Sequence, residues 1–280
     1  MSKKKKRPEP ESLNLPLCGV DSHAHLDLSD PDAGGFETDL DEVLDAARRA
    51  GVARIGNVFL GPDKYERNRS RFDAHPEVFF ILGMHPCDAL DCTDEILSRM
   101  AAAFRTDTRL RALGEIGLDF YWDDAPHDVQ EQVLRAQLRL ARELDVPVVI
   151  HCRDAEADML RVLDDENFTG RALLWHCFGG GPDLAEAVLS RGWQLSIPGP
   201  VTYRKAEELQ AAVAMIPLER LLVETDCPYL TPEPWRGKRN HPALAAFTAA
   251  KIAELKGLDP TMVWRVAGEN ALRFFGLLPS

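Results

Sequence analysis

The chain has 280 residues, 45% hydrophobic and 28% charged, with 33 Lys and Arg against 45 Asp and Glu, a formal net charge of -12. No apolar run approaches the roughly 18 residues of a membrane span, and the basic start "MSKKKKRPEPE" is not followed by the apolar core of a secretion signal. Without the five cations and two glutamates of that start the body carries 28 basic against 43 acidic residues, which excludes attraction of nucleic acid by the whole surface and leaves a local arginine cluster or bound cations to hold any polyanion.

Residues 1–14 read as a disordered basic tail, because four of the chain's nine lysines sit there while the rest prefers arginine. A solvated tail without a specific role competes there with a nuclear address or a nonspecific nucleic-acid arm. Residues 15–280 read as one domain. The six cysteines, Cys18, Cys87, Cys92, Cys152, Cys177 and Cys227, form no CxxC pair and no compact disulfide spacing, so reduced thiols and a cytoplasmic protein are expected.

Eight short apolar runs then alternate with segments of helical period. Strands are expected at Leu17 to Val20, Val52 to Phe59, Val78 to Gly83, Leu110 to Gly117, Pro147 to Ile150, Ala172 to Trp175, Trp193 to Ile197 and Leu221 to Glu224. Helices are expected at Asp39 to Ala50, Asp128 to Leu144, Asp183 to Arg191 and Lys205 to Ile216, with Pro242 to Lys256 and Pro260 to Phe275 closing the chain. Eight alternations favour an α/β fold of one domain, a (β/α)8 TIM barrel, over a doubly wound sheet.

Chemistry in such barrels sits at the carboxyl ends of the strands. Strand 1 runs into "DSHAHLD", where alternation puts His23 and His25 on one face. Strand 4 brings Glu115 in "ALGEIGLD", strand 5 His151 in "PVVIHCRDA", strand 6 His176 in "LLWHC" and strand 8 Asp226 in "LLVETDCPYL". An isolated residue of any of these types is ordinarily a satisfied core group or a cap. Four imidazoles and two carboxylates at one rim destabilise a fold unless cations bind them, and six ligands suit two divalent ions that share a carboxylate, with Glu115 as the bridge. Cys152, Cys177 and Cys227 each follow a ligand type and are expected on the opposite face, packed against helices. Glu224, one layer below Asp226, is open between supporting a ligand, holding an additional metal and filling the barrel.

Five ordered segments, "DSHAHLD", "IGEIGLDFYW" with Leu113 in place of its first Ile, "PVVIHCRDA", "HCFGG" and "ETDCPYLTPEPWRGKRNHP", resemble the TatD family of metal-dependent deoxyribonucleases in the amidohydrolase superfamily, over about residues 18 to 276. The resemblance implies His23, His25, Glu115 and Asp226 around one metal and Glu115, His151 and His176 around the other. Ala24 and His241 depart from the residues many relatives carry there, and no lysine lies in "LRALGEIGLDF" to serve as a carboxylated bridge.

The resemblance supplies DNA as substrate and a 3′ polarity; the residues by themselves supply phosphoryl or acyl hydrolysis. Two cations sharing a carboxylate suit a divalent-metal-dependent phosphodiesterase, with zinc, manganese or magnesium open as the ion and Asp226 placed to move a proton. Arg153, Arg236, Lys238 and Arg239 are candidate phosphate donors, with His85 of "GMHP" as a neutral one. Tyr121, Trp122 and Trp235 fall in mouth loops where stacking on bases competes with loop packing. Expected partners are single-stranded DNA ends, with no membrane and no obligate protein partner legible. The alternatives are an ester or amide hydrolase such as an aminoacyl-tRNA deacylase, and a nucleic-acid binder on a retired enzyme scaffold, against which all six intact ligands argue.

Overall fold

The computed structural model describes residues 7–28 and 34–278. Eight parallel strands run in sequence order around a barrel: β1 (Gly19–Ala24), β2 (Val52–Leu60), β3 (Val78–Gly83), β4 (Leu110–Asp119), β5 (Val148–Arg153), β6 (Leu173–Trp175), β7 (Gln194–Ile197) and β8 (Leu221–Val223). β1 and β8 meet through a parallel bridge between Ala24 and Cys227, with the His25 N–H donating to the Cys227 carbonyl at 2.8 Å. The outer helices are α1 (Leu40–Arg49), α2 (Pro62–Asn68), α3 (Asp94–Thr106), α4 (His127–Leu144), α5 (Glu156–Asp165), α6 (Pro182–Ser190) and α7 (Glu207–Met215), followed by α8 (Ala245–Lys256) and α9 (Pro260–Phe274). The expected (β/α)8 TIM barrel of one domain is the observed fold. Helices α2, α3 and α5 lay within segments that the sequence reading left unassigned. Among the described residues no helix is long and apolar enough to cross a membrane.

Two apolar layers hold the barrel. Between sheet and helices lies a continuous core that includes Leu44, Phe59, Phe80, Leu134, Leu138, Met159, Trp193 and Ile252. A smaller cluster takes Val20, Ile81, Ala112, Val149, Leu174 and Leu222 from six strands and packs with Phe275, whose ring centroid lies 4.6 Å from that of Phe79. At about 25 cal/mol per Å² of buried apolar surface this packing is the main stabilising term, and it leaves the carboxyl ends of the strands free for polar groups.

β1 is seated by α9. A Cβ on Gly19 would fall 1.9 Å from the Trp264 ring, so only glycine allows the strand to start against that helix, and the Trp264 indole N–H donates to the Pro16 carbonyl at 3.0 Å. Pro260 and the Asp259 cap, whose side chain accepts from the Met262 N–H, begin α9 just past "GLD".

The stretch 1–14, expected as a disordered tail, needs correction in its second half. Pro10–Leu13 is a 3-10 turn, and the loop after β8 holds the residues before it: Arg7 donates to the Pro234 carbonyl and the Trp235 indole N–H donates to the Pro8 carbonyl, both at 2.8 Å. The reason is "PEPE", whose prolines restrict the backbone so that ordering it costs little entropy. The lysine run itself lies outside the described residues.

Candidate metal centre

Each side chain of the site is placed by buried polar clamps on the barrel rim. Asn57 of β2 accepts from the Leu26 N–H at 2.8 Å and donates to Asp27 at 3.1 Å, fixing the chain as it leaves His25. Asp21 of β1 accepts from both the N–H (2.9 Å) and the hydroxyl (2.6 Å) of Thr225, which ties "DSHAH" to the loop carrying Asp226. Burial pushes the Asp21 carboxyl up to about 8 in spite of these bonds. From α4, two buried glutamines seven residues apart reach the rim. Gln137 accepts from the Met84 N–H at 2.8 Å and donates to the Met84 carbonyl at 3.1 Å, and Gln130 does the same for Asp119, at 2.8 Å in each direction.

These clamps bring His23, His25, Glu115, His151, His176 and Asp226 into one cluster. Glu115 divides its oxygens. Oε2 lies 3.3 Å from His23 Nε2 and 3.6 Å from His25 Nε2, whereas Oε1 lies 2.6 Å from His151 Nδ1, 2.8 Å from His176 Nε2 and 3.8 Å from His85 Nε2. Asp226 Oδ1 is 3.4 Å from His25 Nε2 and 3.8 Å from His23 Nε2, and the two Nε2 atoms face one another at 3.3 Å. Two ligand atoms at about 2.0–2.1 Å from a tetrahedral ion are about 3.3–3.4 Å apart, so the first set already has ligand spacing. The contacts of Oε1 with His151 and His176 are of hydrogen-bond length.

The protonation pattern shows that the cluster draws positive charge. Burial alone would raise Glu115, but His176, His151 and His23 hold it well below the usual carboxylate range. His176 is correspondingly held well above the ordinary imidazole value, against its burial, by Glu115 and Glu224. The His23 ring stacks on His176 with centroids 3.8 Å apart and is lowered by burial and by that neighbour's charge. A buried nest of imidazoles and carboxylates that draws protons to itself is one whose donor set suits divalent cations.

Two carboxylates stand behind the histidines. Glu224, left open by the sequence reading, accepts from the Cys177 N–H at 2.7 Å and from the Ser196 hydroxyl and lies 3.4 Å from His176 Nδ1, so it supports that ring. Asp119, which the sequence reading missed, puts Oδ2 2.8 Å from His151 Nε2. Its signal was present: "EIGLD" sets Asp119 four residues after Glu115, on the same strand face, and the expected strand stopped two residues short.

A cavity of about 980 Å³ opens over the cluster. Arg153 lines it and is stacked on Tyr121, with the guanidinium carbon 3.7 Å from the ring centroid. His85 lines it too. Its Nδ1 accepts from the Cys87 N–H at 3.2 Å, so the neutral ring carries its proton on Nε2, facing the cluster, and burial lowers its pKa to about 3. Arg236 and Lys238 are exposed and outside the cavity wall, with Arg236 lying over the Tyr203 ring at 4.2 Å.

Two further expectations are corrected and one open alternative is decided. Arg239 is paired with Asp39 and donates to the Gly35 carbonyl, so it fastens the β8 loop to the start of α1 instead of facing substrate. For Trp235, open between stacking on bases and loop packing, the indole N–H donates to the Pro8 carbonyl and the ring is not part of the cavity wall, so loop packing holds. Cys227 is buried in the core and Cys152 packs against it as expected, Cys152 also reaching the cavity wall, but Cys177 lines the cavity. The left-handed backbone at Cys177 (φ 48°) breaks the alternation on which that expectation rested.

Residues 20–276 match the family model described as TatD related DNase. The chain is 38% identical over 255 residues to the uncharacterized metal-dependent hydrolase YabD of Bacillus subtilis, covering 91% of this chain and 98% of that protein. It is 36% identical over 249 residues to a Cronobacter sakazakii protein named 3′-5′ ssDNA/RNA exonuclease TatD, covering 86% and 93%. Among solved structures, the TatD homologue YJJV of Escherichia coli superposes with a TM-score of 0.85 at 28% identity, over 94% of this chain and 100% of that one.

Proposed function

The chain belongs to the TatD related DNase family of metal-dependent hydrolases, and from that premise we propose that it hydrolyses phosphodiester bonds of DNA with two divalent ions, removing nucleotides from single-stranded ends in the 3′ to 5′ direction. The observation that carries this reading is the division of Glu115, one oxygen toward His23 and His25 and the other toward His151 and His176. His23, His25, Glu115 and Asp226 would hold one ion, and Glu115, His151 and His176 the other. Ions of this kind polarise a phosphoryl oxygen and make water more acidic.

The protein's own groups do the rest. Asp226, on the left-handed turn after β8 (φ 55°), presents a carboxylate at the cavity floor that accepts a proton from the attacking water. Arg153 supplies a fixed positive charge to one non-bridging phosphate oxygen, and the Nε2–H of His85 donates to another as a neutral group. Arg236 and Lys238 are left to meet the strand outside the mouth. Among the described residues the cavity wall carries Asp88, Asp124, Asp154 and Glu156 but only Lys64 and Arg153 as cations, so it offers no long basic track and restricts contact to a terminal phosphate or two.

That acidic wall favours one alternative, an ester or amide hydrolase such as an aminoacyl-tRNA deacylase, whose reacting carbonyl carries no charge. A time course on 3′- and 5′-labelled single strands, paired strands and a covalently closed circle, with and without chelator, separates the two. The expected result is a chelator-sensitive mononucleotide ladder from the 3′ ends of single strands. Cutting of the closed circle without such a ladder overturns the end-directed reading, and inertness toward every phosphodiester overturns the nuclease reading.

A further inference from the structure

Tyr121 and Trp122 follow β4 at the cavity mouth and are 53% and 50% exposed, unusual for two large adjacent aromatics. Their rings meet edge to face with centroids 4.8 Å apart. Arg153 lies across both, its guanidinium carbon 3.7 Å from the Tyr121 ring and 5.6 Å from the Trp122 ring. Among the described residues Arg153 forms no ion pair, although Asp154 and Glu156 are close in sequence, so its charge is held by the aromatic faces and remains available to an anion. Trp122 and Arg153 both line the cavity, which connects this surface directly to the metal cluster.

The surface is also held in register with the chemistry. β4 and β5 pair Asp119 with Arg153, and the Phe120 N–H donates to the Arg153 carbonyl at 2.9 Å. One oxygen of Asp119 accepts from the N–H groups of Tyr121 (3.0 Å) and Trp122 (3.2 Å), while its other oxygen meets His151 at 2.8 Å. The same buried carboxylate thus fixes the turn that carries the aromatics and the imidazole beside Glu115.

Resting on the phosphodiesterase reading above, we propose that Tyr121, Trp122 and Arg153 form a stacking subsite for the nucleobase next to the scissile phosphate, and that Asp119 is the positioning residue that registers this subsite with His151. The occupant is an unpaired base. A flat exposed ring edge-on to a second ring, with a cation beside it, offers a π-face to one base and a charge to its phosphate, whereas a paired base keeps its faces covered by its neighbours. Stacking on an aromatic is indifferent to base identity, so the subsite selects for single strands without selecting a sequence.

The test uses the metal-loaded protein and short labelled single strands with cleavage-resistant phosphorothioate linkages, either base-bearing or abasic at the terminal nucleotides, with affinities read by fluorescence anisotropy. The wild type is expected to bind the base-bearing strand about tenfold or more tightly than the abasic one. In Trp122→Ala and in Tyr121→Ala, both at exposed positions, that ratio falls toward one. Asp119→Ala loses the ratio and also metal content. Asp119→Asn retains the ratio, since its amide oxygen still accepts from both N–H groups, yet loses metal because its NH2 faces His151. Equal wild-type affinity for both strands, with hydrolysis of bis(p-nitrophenyl) phosphate intact, overturns the subsite alone. A wild type that hydrolyses no phosphodiester overturns the reading beneath it and the subsite with it. Identical behaviour of the two Asp119 variants overturns the registering role.

Discussion

His151 presents Nδ1 to Glu115 at 2.6 Å, and Glu115 in turn reaches His23 with its second oxygen at 3.3 Å. One buried carboxylate therefore joins histidines carried by strands 1, 5 and 6 of an eight-stranded barrel. A neutral amide of the same shape keeps one acceptor and turns the other into a donor aimed at ring nitrogens.

Glu115→Gln is accordingly expected to bind fewer divalent ions than the two per chain expected of the wild type and to lose at least about a hundredfold in turnover, since a charge-neutral bridge holds two cations poorly. Arg153→Ala is expected to lose less, and Arg236→Ala, outside the cavity wall, least. Elemental analysis after desalting, beside rates for each variant, checks the order. Near wild-type turnover for Glu115→Gln removes the bridging assignment.

Asp226→Asn keeps an oxygen near His25 but cannot accept a proton. Oligonucleotide binding and part of the metal are expected to survive while single-turnover rates collapse. Activity that falls only in proportion to lost metal would make Asp226 a ligand without a role in proton transfer.

The glutamine clamps make a stability prediction. Gln130→Met removes the partners of the buried N–H and carbonyl of Asp119 and of the Ala125 carbonyl, and Gln137→Met removes those of Met84. Each unsatisfied backbone group costs about 1–3 kcal/mol. Urea unfolding should show Gln130→Met the less stable of the two variants, and an unchanged midpoint in either would mean that the rim loop reorganises around the loss.

His241 sets a pH prediction. Burial lowers its pKa to about 4, below the ordinary value near 6.5, so the folded protein keeps the ring neutral while the unfolded chain takes up a proton. The unfolded state therefore binds more protons between these two values. The contribution to stability is fully present above about pH 6.5 and is lost as pH falls toward about 4. Melting temperatures at pH 7.5 and 4.5 should fall further for the wild type than for His241→Gln, which removes this titration. Parallel falls would show that His241 does not contribute.

Much of the site was legible before any fold was known. His23, His25, His151, His176 and Asp226 each sit where an apolar run ends, Glu115 is the lone carboxylate within the fourth run, and alternation within a strand already puts His23 and His25 on one face. Those are local properties, written within a few residues of chain. Arg239 looked equivalent to Arg153 as a phosphate donor for the same local reason, and there the local signal misleads: Arg239 is taken by Asp39, and Trp235, open between stacking on bases and loop packing, is taken by Pro8, partners about 200 or more residues away in the chain.

The sequence by itself determined the barrel and the chemical types at its rim, because strand period and ligand identity are carried by neighbouring residues. Only the tertiary structure decided which oxygen of Glu115 faces which histidine, that Asp119 and Glu224 stand behind His151 and His176, and which cations remain unpaired at the mouth. Those relations depend on strand register and barrel closure, where β4 meets β5 and β1 meets β8, and hydrogen bonding discriminates at a few tenths of an ångström between groups that the linear chain leaves far apart.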